Sequence, residues 1–142
     1  MEFIGWSYDI AREQNPHETF LTEILARSLN AGYNAIGLYM EHRFAYPSAP
    51  WAVGPGALTP QQVSHLQDEF RPKGLRIIPF LNTLGHMEGF IRAEGGQRFA
   101  EGEGEWSLQI CPSRSEGREF ARSLVMDAMK VFQDEWIHLG GD

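Results

Sequence analysis

Thr59-Pro60-Gln61-Gln62 and the residues up to Gly74, followed at once by Leu75-Arg76-Ile77-Ile78-Pro79-Phe80-Leu81, read as a helix running directly into a strand. Thr59 is an N-cap, and Gln62, three residues on, completes a capping box. Val63, Leu66 and Phe70 fall on one helical face, and Gly74 closes the helix. Leu75 to Leu81 is short and apolar on both faces, which is the pattern of a parallel strand covered on both sides. The same alternation continues outward in both directions. Phe3-Ile4-Gly5-Trp6-Ser7-Tyr8 is a first strand. A helix follows with Asn15 as cap, Pro16 at the first position and Glu18 three residues after the cap. Phe20, Leu21, Ile24, Leu25 and Leu29 form its buried stripe, and Gly32 stops it. Ala35 to Met40 is a second strand. Ser113 and Glu116 open a third helix, with Phe120, Leu124, Ala128, Met129 and Phe132 facing inward, and Trp136 to Leu139 is a fourth strand. Strand and helix in strict alternation predict right-handed βαβ units on a parallel sheet, an α/β fold. Four strands and three helices fit either a small open sheet or half of an eight-stranded barrel, whose full length is typically about 250 residues.

The whole chain has 142 residues, the size of one ordinary domain. Twelve Lys and Arg against 19 Asp and Glu give a net charge of −7, which argues against a nucleic-acid-binding surface. A content of 42% hydrophobic and 22% charged residues is that of a globular chain. No apolar run approaches the roughly 18 residues of a membrane span. The opening MEFIGWSYD has no basic region ahead of an apolar stretch, so no signal peptide is expected and the expected location is cytoplasmic. The single cysteine, Cys111, excludes an internal disulfide and a cysteine-rich metal site, and between Ile110 and Pro112 it reads as a buried inert thiol. The chain stops at Leu139-Gly140-Gly141-Asp142 with no polar tail after the last strand, which reads as a piece of a longer protein.

Polar residues gather just after each apolar run: Asp9 and Arg12, then Glu41, His42 and Arg43, then Asn82 and His86, and finally His138 leading to Asp142. In a parallel sheet these points converge on one edge, where α/β proteins build their sites. Carboxylates, a guanidinium and an imidazole brought together suit acid–base chemistry on a polar substrate. Each also has a plainer reading. Asp9 caps backbone N–H groups, Arg12 is a solvated charge, Glu41 pairs with Arg43, His86 caps a short helix and His138 is a core histidine. Trp51, in a loop rich in Pro and Gly, is a packing residue or a platform for a sugar face. The acidic, Gly-rich stretch from Arg92 to Glu105 reads as a solvated loop.

His138-Leu139-Gly140-Gly141-Asp142 resembles the H-x-G-G-D-E signature of glycoside hydrolase family 20, the β-N-acetylhexosaminidases. Four more segments are similar to that family and occur in its order. They are Asp9-Ile10-Ala11-Arg12, Tyr39-Met40-Glu41-His42, the stretch Ala57 to Gln62 taken with Gly74 to Gly85-His86, and Ile110-Cys111-Pro112-Ser113. At the second of these one branch of the family reads Tyr-Thr-Glu-Asp, so Met40 and His42 depart from it.

The resemblance implies the N-terminal half, about four βα units, of a (β/α)8 TIM barrel, with residues 1–142 one partial catalytic barrel ending after its fourth strand. It implies a retaining mechanism in which the substrate's own 2-acetamido oxygen attacks the anomeric carbon, on glycans ending in N-acetylglucosamine or N-acetylgalactosamine. Asp142 would hold the amide N–H, and His86 and Glu41 would belong to the network around the general acid. Arg12 would bind sugar hydroxyls, with Asp9 and His138 beside it. The acid itself, the Glu after the motif's Asp, is not among these residues, so the chain alone is expected to turn over nothing. No cofactor, metal or membrane enters this reading. Half a barrel also has open sheet edges, so edge-to-edge self-association is expected. Two rivals stand beside it: a metal-dependent barrel hydrolase using His86, His138 and Asp142, and a small α/β interaction module without catalysis.

Overall fold

The computed structural model describes residues 2–12, 17–103 and 107–141. Asn15 and Pro16, the expected start of the first helix, lie outside them, as do Trp106 and Asp142. The elements run β1 (Gly5–Asp9), α1 (Glu18–Asn30), β2 (Ala35–Tyr39), α2 (Pro60–Phe70), β3 (Arg76–Phe80), the short α3 (Glu88–Ile91) and α4 (Ser115–Val131). Four 3-10 turns lie between them, at Glu41–Arg43, Pro50–Ala52, Arg71–Lys73 and Gly96–Phe99.

The sheet has the order β1-β2-β3, and both pairings are parallel. Gly5, Ala35 and Arg76 stand in register at one end, and Asp9, Tyr39 and Phe80 at the other. The α/β class and the parallel pairing are as the sequence predicts. The fourth apolar run is shorter than expected. It meets β3 at a single parallel bridge between Phe80 and His138. The His138 N–H donates to the Pro79 carbonyl at 2.9 Å, and the Leu81 N–H to the His138 carbonyl at 3.0 Å. Gly140 and Gly141, at φ +68° and +114°, turn the backbone out of the extended region just beyond the bridge.

Helix α2 starts as its sequence dictates: the Thr59 hydroxyl accepts from the Gln62 N–H at 3.2 Å, and the Gln62 side chain reaches back to the Thr59 N–H at 2.9 Å. Helix α4 starts one residue later than expected, with Arg114 in place of Ser113 at the N-cap and no side-chain cap. Its first turn lies so close to the preceding loop that a Cβ on Gly117 would sit 2.5 Å from the Cys111 carbonyl oxygen. Phe20 and Met129, expected on buried stripes, are 47% and 57% exposed. Leu21, Leu25, Phe120, Leu124, Ala128 and Phe132 of the two stripes are buried, and Ile24 and Leu29 are half-buried.

One face of the sheet carries the core. Ile36, Leu38 and Ile77 pack with Leu21, Leu25, Val63, Leu66, Phe70 and Leu124 in one cluster. Each such side chain contributes about 1.5–3 kcal/mol by leaving water. Gln67 and Asp127, buried polar side chains on this side, are hydrogen-bonded. The Gln67 amide donates to the Val131 carbonyl at 3.1 Å and accepts from the Gln133 N–H at 2.6 Å, tying α2 to the end of α4. Asp127 accepts from the Ser48 N–H at 2.7 Å and holds the loop after β2.

The other face is open. Gly5, Ser7, Gly37, Ile78 and Phe80, with Phe3, Trp136 and His138, line a groove of about 340 Å³. The expectation of strands buried on both faces fails for β1, whose residues are exposed or half-buried, because the described helices cover one side of the sheet only. The stretch after α3 also differs from the expected solvated loop. Phe99 and Ala100 are buried, and Ala100 bridges Ile110.

At the start of β3, Arg76 binds Asp134 through two bonds, at 2.8 and 2.6 Å, and stacks over the Trp136 ring at 4.3 Å. Burial pushes the Asp134 carboxyl up, but the bonds from Arg76 and from the Trp136 N–H outweigh this and hold its pKa below the usual value. A depressed folded pKa adds stability above the ordinary Asp range, and that stability is lost as pH falls through the folded value. Asp134→Asn should therefore cost about 1 kcal/mol at pH 7, partial exposure of Arg76 being allowed for. Urea midpoints of the two proteins should converge as the solution is acidified through Asp134's titration.

Candidate functional site

The in-register sheet brings the strand ends abreast, and the chain leaves all three strands on one side. After β1 the Asp9 carboxylate accepts the backbone N–H groups of Ala11 (2.8 Å) and Arg12 (3.3 Å), turning the chain back on itself. Arg12 thus reaches both Asp9, at 2.9 Å, and His86 Nδ1, also at 2.9 Å. Arginine has no acceptor, so Nδ1 of His86 must accept and the imidazole proton sits on Nε2. Arg12 also lies 5.6 Å over the Tyr39 ring. The Tyr39 hydroxyl donates to the His86 carbonyl at 3.4 Å and receives the Asn82 amide at 3.3 Å. Asp9, Arg12 and His86 thus form one connected group, 39%, 46% and 42% exposed at the side chain.

Glu41 lies beneath this group, 2% exposed. Its Oε1 accepts the Gly89 N–H at 2.5 Å. Burial pushes its carboxyl up to about 7; the Gly89 bond pulls the other way, and the neighbouring Glu88 adds to the rise. The suggested pairing with Arg43 does not form: Arg43 donates instead to the Pro55 carbonyl. His42 is clasped between Gly54 and Gly89, and a Cβ at either glycine would overlap the imidazole ring. Its Nδ1 is buried without a partner, 4.0 Å from Glu41 Oε1. Burial and the adjacent Arg43 lower the His42 pKa. Burial thus favours the neutral form of both groups, and the two do not make an ion pair.

Glu41 and His86 have φ of +43° and +50°, unusual for residues with a side chain. Each costs of order 1 kcal/mol, and such strain collects at functional sites. The glycine of the terminal motif has a steric cause. A Cβ on Gly140 would overlap Asn82 Oδ1, so the motif can pass the end of β3 only as glycine. Leu139 is held there by the Thr83 hydroxyl, which donates to its carbonyl at 3.0 Å.

The structure therefore joins Asp9, Arg12 and His86 directly, with Glu41 in the next layer. His138 is not a core histidine. It stands in register with Phe80 on the open face, exposed, with ring centroids 3.8 Å apart. Asp142 lies outside the described residues. His86 does not cap α3, which starts after Met87 without a side-chain cap. Cys111 is half-buried. Sequence reasoning missed Glu88, whose Oε1 is 3.9 Å from Arg12 and 4.0 Å from His86, and the glycine slot around His42. Two residues after Gly85-His86, Glu88 carries no spacing signal of its own. Among the described residues no cluster of three or more His, Cys, Asp or Glu side chains could hold a metal ion, and no helix is long and apolar enough to cross a membrane.

No family model and no curated protein matches the chain. Solved structures do. A β-N-acetylhexosaminidase from Bacteroides fragilis NCTC 9343 superposes over 99% of this chain and 32% of its own, with a TM-score of 0.81 and 16% identity. The GH20 β-N-acetylhexosaminidase of Streptomyces coelicolor A3(2) covers 99% and 33%, with a TM-score of 0.78 and 14% identity. A structure of the tandem GH20 catalytic modules in the pneumococcal exo-β-D-N-acetylglucosaminidase StrH covers 99% and 42%, with a TM-score of 0.81 and 18% identity. The chain thus spans between about a third and two fifths of the length of these solved chains. The likeness is one of fold, and at that level it bears out the resemblance carried by the five segments.

A carboxyl raised from the ordinary range to about 7 makes the folded state bind a proton that the unfolded chain has released. Stability should fall as pH rises from about 4.5 to about 7, by about 3 kcal/mol from this group, and level off above. Glu41→Gln keeps an acceptor for Gly89 and removes the titration. The difference in urea midpoint between variant and wild type should grow across that window and be largest near pH 8.

Proposed function

We propose that residues 1–142 form the first four βα units of a (β/α)8 glycosidase barrel of the family 20 type. In this reading the whole barrel removes terminal N-acetylglucosamine or N-acetylgalactosamine from glycans. The observation that carries it is the Asp9–Arg12–His86 group at the strand ends. It sits in a fold shared with β-N-acetylhexosaminidases over 99% of the chain.

In the proposed mechanism the Arg12 guanidinium, held by Asp9, offers a planar fork to a vicinal diol of the terminal sugar. The sugar's 2-acetamido oxygen attacks the anomeric carbon and expels the leaving group, forming a cyclic oxazolinium. This attack is intramolecular and gains a high effective concentration. Asp142 accepts the amide N–H and offsets the positive charge that develops on the ring. His86, with its proton on Nε2, is a donor that orients the general acid, the Glu that follows the motif's Asp in the family. Glu41 underpins this network through Gly89. Water then opens the oxazolinium with retention.

Two measurements test this on a protein carrying the chain within a complete barrel. Aryl N-acetyl-β-hexosaminides should be cleaved, and Asp142→Asn should lower kcat on the order of 10²–10³-fold. Successive fluorination of the substrate's acetyl group should slow the reaction steadily, because it weakens the attacking oxygen. A rate indifferent to fluorination would exclude the substrate as nucleophile. The 142-residue chain alone should turn over neither substrate.

A further inference from the structure

Glu88 faces the Arg12 group and has no part in the proposed mechanism. Its Oε1 lies 3.9 Å from Arg12 Nη2 and 4.0 Å from His86 Nδ1, while those two nitrogens are 2.9 Å apart. The carboxylate oxygen thus stands at the apex of a triangle, about equally far from both ends of the Arg12–His86 bond. Both distances exceed hydrogen-bond length, so Glu88 acts here through its charge.

Charge decides which way the guanidinium turns. Asp9 is the direct counter-ion of Arg12, through Oδ2 and Nη1. Its Oδ1 is occupied by the N–H groups of Ala11 and Arg12, and the two-pronged pairing of carboxylate with guanidinium does not form. Nη2 donates instead to a neutral imidazole nitrogen, which is a weaker acceptor than a carboxylate. With the Arg12 side chain 46% exposed, water competes for that N–H. A negative charge on the His86 side of the guanidinium tips the competition towards His86. The protonation of Arg12 reflects the same field: burial pulls its pKa down, and the bond from Asp9 with the charges around it, Glu88 among them, more than reverses this.

Glu88 is itself held firmly. Its side chain is 20% exposed and its second oxygen, Oε2, is buried, so Oε1 is the oxygen that looks onto the group. The N–H of the next residue, Gly89, is bound by the buried Glu41. Glu41 therefore fixes the backbone from which Glu88 projects.

We propose that Glu88 is a positioning residue for sugar binding: its fixed negative charge keeps Arg12 Nη2 on His86 and so keeps the remaining N–H groups of the guanidinium fork turned to the hydroxyls of the substrate. The nature of the substrate rests on the hexosaminidase reading; the hold on Arg12 does not. An aim imposed on Arg12 serves bound substrate and transition state alike, so it is felt in KM and leaves kcat nearly unmoved.

The test uses a protein carrying the chain within a complete barrel. Turnover of an aryl N-acetyl-β-glucosaminide, a neutral substrate, is followed at low and high salt. The order of the Arg12 Nε–H group is measured separately, by 15N NMR relaxation without sugar. Glu88→Gln keeps the side-chain shape and removes the charge. It should raise KM about three- to fivefold at low salt, the worth of one partly exposed charge pair, with kcat changed by less than about twofold. The ratio of the two KM values should shrink towards one in about 1 M salt, where the screening length is about 3 Å; a packing defect would not respond. Arg12 Nε–H should lose order in Glu88→Gln, and Glu88→Asp, which keeps the charge on a shorter arm, should fall between the two. Unchanged Arg12 order in Glu88→Gln overturns the positioning role, and if aryl-glycoside turnover is seen the hexosaminidase reading stands without it. A fall in kcat alone, a KM ratio indifferent to salt, or Glu88→Asp as impaired as Glu88→Gln also overturns it. Lost Arg12 order in a protein that turns over no aryl glycoside supports the hold on Arg12 and sinks the hexosaminidase reading.

Discussion

Three parallel strands paired without stagger are the constraint on which the rest of this molecule depends. Because Asp9, Tyr39 and Phe80 are cross-strand partners, the loops that follow them leave at one height and on one side. That is how Arg12 meets His86 at 2.9 Å across 74 residues of sequence. A one-residue slip of either pairing would send alternate side chains to the wrong face, stripping Ile36, Leu38 and Ile77 from the core as it dispersed the polar group. The hydrophobic packing against the helices and the placement of the site are therefore one and the same requirement.

Absent side chains matter at the rim as much as present ones. Gly54 and Gly89 leave the volume that the His42 ring occupies, and Gly140 leaves the volume next to Asn82. The close approach of Gly54 and Gly89 to the His42 ring helps bury Glu41 and much of His42. Burial in turn raises the pKa of one and lowers that of the other, so burial disfavours charge on both groups of the layer beneath the exposed Arg12 group. A solvent-facing group, in which Arg12 is matched by Asp9, thus rests on a protonatable, buried one, with the Gly89 backbone as the link. The strained backbone at Glu41 and His86 is the local cost of aiming both side chains at this place.

The two faces of the sheet have opposite characters. Helices bury one; the other offers small residues (Gly5, Ser7 and Gly37) beside the larger Ile78 and Phe80, under the exposed ring of His138. In the proposed whole barrel this face is interior, where small and large side chains from neighbouring strands fill one another's gaps.

Much of this was legible in residue order. The capping box at Thr59, the apolar periodicity of α1, α2 and α4, and the apolar runs of β2 and β3 all declare themselves locally, because caps, helical stripes and buried strands are governed by neighbours a few residues away. Asp9, Arg12, Glu41 and His86 could be singled out for the same reason, as polar residues placed just past strand ends. What the chain's order could not state was set by contacts between distant segments. Phe20 and Met129 carry the right spacing for burial, yet among the described residues they stay exposed. His138 lies in an apolar run, yet its register with Phe80 puts it on the open face. Glu88 and the glycines around His42 matter solely because the fold carries the loop after β2 against the segment after β3, and excluded volume between remote segments leaves no mark on local sequence.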